Sequence, residues 1–152
     1  MKIHKKKISI KGISLVDIEH LRIWKNRYKE YFFHKEHISH EEQLYWFNNT
    51  YLKSKDTIIY KISYEEELVG CMGVYFRKDY IEIYNVILGN DKFKSSGLMS
   101  FLLEYICKKY DFNVFVKVLN INPALGWYRK NGFHDLEKNN EYTTLKLEIP
   151  PV

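Results

Sequence analysis

The residues best placed to do chemistry are Lys92-Phe93-Lys94-Ser95-Ser96-Gly97-Leu98-Met99, which follow an apolar run and open an amphipathic one (Leu98, Phe101, Leu102, Tyr105, Ile106). A helix starting there presents amide N–H groups with no intrahelical partner and about half a positive charge, which suits a phosphate or pyrophosphate. Gly97 removes a side chain where an anion would approach the backbone, and Lys92 and Lys94 add charge nearby. The same residues also make an ordinary loop-to-helix turn, so the reading needs a second feature. Downstream stands Asn122-Pro123-Ala124-Leu125-Gly126-Trp127-Tyr128-Arg129-Lys130-Asn131-Gly132-Phe133. His34, His37 and His40 recur at every third position, but they fall in a short connector with no cysteine or fourth ligand near, so no metal is expected. Neither Gly-x-Ser-x-Gly nor His-Glu-x-x-His occurs, which leaves hydrolase chemistry without an anchor.

The elements that must position these residues follow from periodicity. Lys6–Ile13 alternates as a strand, and Ser14 with Asp17 signals a helix start, with Val16, Ile18, Leu21, Ile23 and Trp24 as its apolar face through about Lys29. Ser39 and Glu42 form a capping box before Leu44, Trp46, Phe47 and Tyr51. From Thr57 the period becomes extended: Thr57–Ser63, Leu68–Phe76 and Tyr80–Leu88, joined by short polar turns, predict an antiparallel meander. A helix from Gly97 to about Tyr110, a strand Asn113–Leu119, a short helix Pro123–Asn131 and a strand Thr143–Glu148 complete the chain. The mixed order predicts an α+β sheet with helices packed on it.

The 152 residues suit one domain, residues 1–152, with no linker or repeat, and allow a full core without staples. A content of 45% apolar and 28% charged residues excludes a disordered or collagen-like chain. The thirteen Tyr and nine Phe carry little functional weight by themselves. Cys71 and Cys107 have no CxxC or disulfide-dense pattern and read as reduced and buried. No run approaches a membrane span or a signal peptide, so the expected location is cytoplasmic, without membrane partners. A net charge of +5 suits a polyanion, either nucleic acid or a phosphorylated small molecule.

The two segments together resemble the GNAT superfamily of acyl-CoA N-acyltransferases. Members carry Gln/Arg-x-x-Gly-x-Gly/Ala after the fourth strand, where this chain has Lys94-Ser95-Ser96-Gly97-Leu98-Met99. They also carry an Asn followed by Tyr-x-x-x-Gly-Phe, met here by Asn122, Tyr128 and Gly132-Phe133. The order of elements matches from end to end. The resemblance implies a mostly antiparallel, twisted, mixed sheet of six to seven strands, splayed between the fourth and fifth and flanked by about four helices. Lys94 stands where Arg or Gln is usual. Met99 stands where the family has a small residue, and would crowd a pyrophosphate if its side chain pointed there.

The resemblance further implies transfer of the acetyl group of acetyl-CoA, as acyl-donor substrate, to a primary amine by direct attack. A protonated alkylamine cannot attack a thioester, and at pH 7 its neutral fraction is roughly one in a few thousand, a penalty of about 4–5 kcal/mol. Glu82 is the implied general base, directly or through water, and Tyr128 the implied acid that protonates the departing thiolate. Val86, Ile87 and Leu88, with Lys92, Lys94, Ser95, Ser96, Gly97, Leu98, Met99, Asn122 and Tyr128, are the implied CoA-binding positions; backbone N–H groups near Ile87 would steady the oxyanion.

The N-terminal half, with Trp24-Lys25-Asn26 and then Ile38–Phe47, is similar to two GNAT subgroups. One acts on nucleotide-linked amino sugars of the pseudaminic-acid type, the other on N termini of ribosomal proteins. In that reading Trp24, Asn26, Trp46 and Phe47 shape the acceptor pocket; alternatively the aromatics are the core faces of two helices. The basic balance suits a nucleotide diphosphate and the chain is short, which favours the amino sugar as a small-molecule acceptor; nucleic acid is not expected as a partner. Two rivals stand: an acetyltransferase of protein or peptide amines, including a toxin-like one acting on charged tRNA, and a non-catalytic module that binds CoA or nucleic acid. Sheet pairing or strand exchange at the C-terminal strand would make a homodimer.

Overall fold

The alternating residues of the central segment form three antiparallel strands in the computed structural model, which describes residues 1–148. They are β2 (Thr57–Tyr64), β3 (Glu67–Phe76) and β4 (Tyr80–Leu88), and β1 (Ile8–Gly12) pairs antiparallel with β2. The turn between β2 and β3 holds Glu65 and Glu66 at φ 50° and 70°, a left-handed pair usually given to Asn-Gly, and Lys7 braces it with a 2.7 Å bond to Glu65. β5 (Asn113–Leu119) then lies parallel to β4, and β7 (Tyr142–Leu147) and β6 (His134–Lys138) complete the order β1-β2-β3-β4-β5-β7-β6.

Among the described residues the fold is therefore the mixed seven-stranded α+β sheet expected of the GNAT superfamily, with four α-helices. These are α1 (Ile18–Arg27), α2 (His40–Trp46), α3 (Leu98–Lys109) and α4 (Leu125–Lys130). β6 lies outside the expected set; all five of its residues are exposed, so it lacks the burial pattern that betrays a strand. β1 is shorter than expected, because Lys5–Lys7 wind into a single 3₁₀ turn. The Ser14–Asp17 signal caps another 3₁₀ turn, Leu15–Asp17, and α1 starts after it. That entry turns Val16 and Ile23 to solvent and leaves Ile18, Leu21 and Trp24 as the buried stripe.

Strand alternation assigns the two faces of the sheet to different partners. Tyr60, Ile62 and Tyr64 of β2 join the core formed with Leu98, Leu102 and Ile106 of α3, whereas Ile59 joins Leu21 and Trp24 of α1 and Phe47 behind α2. On that second face Lys61 bonds both oxygens of the buried Asp17, at 2.9 and 2.8 Å, and the Ser14 amide adds a third bond. A buried charge pair with its lone pairs satisfied fixes where α1 begins over β2.

Trp24 is pressed against the end of β4. A Cβ built on Gly89 would stand 1.9 Å from Trp24 Cε2, so only glycine admits the indole, and Arg27 donates to Gly89 O at 3.2 Å beside it. Gly89→Ala should destabilise the protein by about 1–3 kcal/mol, the usual cost of overpacking a core. Denaturant unfolding checks this, and an unchanged midpoint would show that α1 is not seated as described.

Candidate active site

β4 and β5 are hydrogen-bonded neighbours only from Tyr80↔Asn113 to Ile83↔Val116. Beyond Ile83 the backbone of β4 takes an extra residue: between Cys71↔Ile87 and Gly73↔Tyr84, β3 contributes one residue and β4 two, with Asn85 at φ 48°. A bulge of this kind bends its strand, and here the bend carries β4 away from β5. The two strands part around a cleft of about 880 Å³ lined by Glu82, Val86 and Ile87 of β4, Lys117 of β5, Asn122 and Tyr128.

Tyr128 enters from α4. Its ring is 3% exposed and edge-packed between Trp127 and Phe133, at centroid distances of 4.9 and 5.6 Å. Its hydroxyl has no hydrogen-bond partner among the described residues, yet no side-chain oxygen is both fully buried and unpartnered there, so the hydroxyl opens into the cleft it lines. Burial pushes the phenol pKa up, which keeps its proton in place as a donor. Asn122 accepts from the Ala124 amide at 2.9 Å through Oδ1, capping the turn into α4. Glu82 is half-buried and receives Arg77 Nη2 at 3.2 Å.

The head of α3 lies outside the lining of this cleft. Gly97 sits at φ 85° with open space where a Cβ would be, so conformation rather than crowding demands glycine there. The first helical bond runs from Phe101 N–H to Gly97 O, and Ser96 Oγ accepts from the Leu98 amide, leaving the Met99 and Ser100 amides outside the ladder. Met99 lays its sulfur over Gly70 of β3, 2.7 Å from a Cβ built there, and packs into the core. It is turned onto the sheet. Lys94, Ser95 and Gly97 are exposed, and Lys92 is paired with Glu67 at 2.9 Å. An exposed glycine turn with unspent helical amides fits the pyrophosphate of CoA.

The opposite side of the cleft is aromatic: Tyr31, Phe32, Trp46, Tyr51, Tyr75 and Tyr84 line it. Tyr84 stacks on Tyr75 at 3.9 Å, bonds Thr57 through its hydroxyl, and occupies the space Gly73 leaves across the strand pair. Phe33, from the segment between α1 and α2, meets the edge of Tyr142 at 5.5 Å and so bridges from the helices to β7.

Of the positions expected at the acceptor, Trp46 lines the cleft. Trp24 and Phe47 are in the core, and Asn26 clasps the backbone of Ile38 from both sides, Nδ2 to O at 2.9 Å and N to Oδ1 at 2.8 Å. Tyr84, Asn85 and Lys25 line the cleft without having been singled out. A signal for the last exists: Lys25 falls four residues after Leu21 and seven after Ile18, on the stripe that α1 buries. Among the described residues no group of three His, Cys, Asp or Glu is placed to hold a metal, and no helix is long and apolar enough to cross a membrane.

Comparison with known proteins gives a family. The model of the acetyltransferase (GNAT) family matches residues 20–133. No curated protein sequence matches the chain significantly. Among solved structures, the PaiA N-acetyltransferase of Thermoplasma acidophilum in complex with coenzyme A is 20% identical, with a TM-score of 0.67 over 93% of this chain and 99% of that one. Apo FdhC, a nucleotide-linked sugar GNAT, is 16% identical with a TM-score of 0.75 over 93% and 86% of the two chains. The spermidine N-acetyltransferase of Vibrio cholerae, in complex with CoA and spermine, is 14% identical with a TM-score of 0.74 over 93% and 95%.

Cys71 also lines the cleft, where an acyl relay through sulfur would need a thiolate. Burial pushes its thiol up to about 12, and that of the half-buried Cys107 up to about 11. Both keep their protons at pH 8. Dithionitrobenzoate at pH 8 should leave both thiols unmodified in the folded protein and titrate both in denaturant. Prompt native-state modification of Cys71 would refute the described burial.

Proposed function

The chain belongs to the acetyltransferase (GNAT) family, whose fold takes acetyl-CoA as acetyl donor, and on that premise we propose that it acetylates a primary amine of a small molecule by direct attack in a ternary complex. The observation that carries this reading is the Tyr128 hydroxyl, without a partner among the described residues and open to the gap between β4 and β5. CoA would lay its pyrophosphate on the head of α3 at Ser95, Ser96, Gly97 and Met99, with Lys94 adding charge. Its pantetheine arm would run between the parted strands, past Val86, Ile87, Leu88 and Asn122.

The chemistry divides among few groups. Glu82 takes the proton of the ammonium, directly or through water, which removes the penalty of about 4–5 kcal/mol on the nucleophile. The neutral nitrogen attacks the thioester carbonyl while the Ile87 region of the β4 backbone steadies the oxygen. As the C–N bond forms and the C–S bond breaks, the nitrogen gives up its second proton to solvent, and Tyr128 gives its proton to sulfur and recovers one from solvent.

The aromatic wall supports a small acceptor with a ring to stack, and within that class a nucleotide-linked amino sugar is our preferred reading. A basic peptide would call for acidic residues along the cleft. Asp17 is spent on Lys61, Glu19 on Arg22 and His40, and neither these nor Glu41 lines the cleft; of the carboxylates that do, Glu42 closes its own helix cap at the Ser39 amide and Glu82 pairs with Arg77, which leaves Glu141. The similar structures are named for different acceptors, a nucleotide-linked sugar and spermidine, so the acceptor rests on this wall and not on kinship.

At about a hundred times its Kd, acetyl-CoA should stabilise the protein by about 2.7 kcal/mol in thermal unfolding. Gly97→Val, strained at φ 85°, should remove that shift. Tyr128→Phe should lower kcat about 100-fold or more while keeping CoA affinity. A stabilised protein with no turnover on any amine would instead identify a CoA-binding module, and no stabilisation would overturn the donor site itself.

A further inference from the structure

Lys25 projects from α1 into the wall of the cleft at the point where β4 bulges. Its Nζ donates to Asn85 Oδ1 at 3.1 Å and stands 5.6 Å from the centre of the Phe32 ring. Among the described residues no carboxylate lies within ion-pair distance of it. Of the three carboxylates that line the cleft, Glu42 accepts from the Ser39 amide at 3.0 Å, Glu82 accepts from Arg77, and Glu141 is not paired with Lys25. Cys71, electrostatically coupled to Lys25, is held as the neutral thiol and supplies no counter-charge.

An ammonium has three donors, and here one of them meets a neutral amide oxygen in surroundings that withdraw it from water. A cation in that position is costly until a negative charge reaches it. Burial lowers the Lys25 pKa, the direction expected of a cation without a counter-ion. Asn85 precedes Val86 and Ile87 on the same strand, so the ammonium flanks the segment of β4 that faces the donor.

The geometry points to Lys25 as the anion-recognition residue of the acceptor cleft: the acceptor amine carries a carboxylate or a phosphate, which meets the Lys25 ammonium when the amine reaches the thioester. This rests on reading the aromatic side of the cleft as the acceptor side. It adds a selection rule that the aromatic wall cannot supply. An acceptor with a second cation, such as a polyamine, meets a like charge at this position and is disfavoured.

Matched acceptor pairs test it, with acetyl-CoA saturating. One arm compares glucosamine 1-phosphate with methyl glucosaminide, and the other compares β-alanine with its amide. In at least one arm the anionic member should be preferred about 10- to 100-fold in kcat/KM, the effect of one charge-assisted hydrogen bond. Lys25→Met should collapse that ratio towards one, chiefly through KM, and Lys25→Arg should retain most of it. The arm that responds identifies phosphate or carboxylate. Equal loss for charged and neutral members would make Lys25 a support for Asn85 and overturn the proposal. So would a wild-type enzyme with no anionic preference, or a CoA complex that neither binds nor acetylates either anionic probe. Thermal stabilisation by CoA, measured on each variant, separates those outcomes from failure of the donor site.

Discussion

Two parallel strands that stop pairing leave a row of backbone N–H and C=O groups facing each other with nothing between them, and such groups are costly out of contact with water or another polar partner. β4 and β5 stop after Val116, each keeping its outer neighbour, β3 and β7, so that one edge of each remains satisfied while the inner edges open. The left-handed Asn85 and its extra residue begin the divergence on one side. Tyr128, carried by α4, stands in the gap on the other. An extended ligand with alternating amide groups would answer the open edges as a strand does.

The aromatic wall of the cleft is fastened to this sheet by directional bonds as much as by burial. Lys61 with Asp17 sets the start of α1, Gly89 receives Trp24 and Arg27 near its end, and Asn26 holds the segment that follows. Apolar contact alone permits a helix to slide or roll on a sheet, whereas these bonds fix both its register and its rotation. The precision matters because Lys25 and Trp24 are neighbours in sequence with opposite duties, one turned into the cleft and one into the core.

Much of this was legible in the chain. β4 and β5 stand within the limits their apolar runs set, and the residues from Lys94 to Met99 and from Asn122 to Phe133 carried the family pattern. What escaped was decided by partners rather than by local pattern. β6 is a strand because β7 pairs with it, although none of its side chains is buried. Val16 and Ile23 looked like core until the 3₁₀ entry rotated α1. Trp24, Asn26 and Phe47 were read as pocket, but packing against Gly89, the Ile38 backbone and the second core occupies them. A lysine on a buried stripe usually snorkels to water, and only the fold shows that the tip of Lys25 ends at Asn85.

The Asn26 clasp has a consequence for how such a protein changes over generations. A single side chain holds both polar groups of Ile38, so the chain from α1 to that point forms a closed excursion tied at its neck, and Phe32, Phe33 and His34 ride on it into the cleft wall. Residues within the excursion can be exchanged, or their number altered, with the tie and the sheet beneath left in register. The parted strands and the later helices lie outside that excursion. On the proposed division of the cleft, acceptor preference can therefore drift by mutation of a small surface segment while the donor half is inherited unchanged.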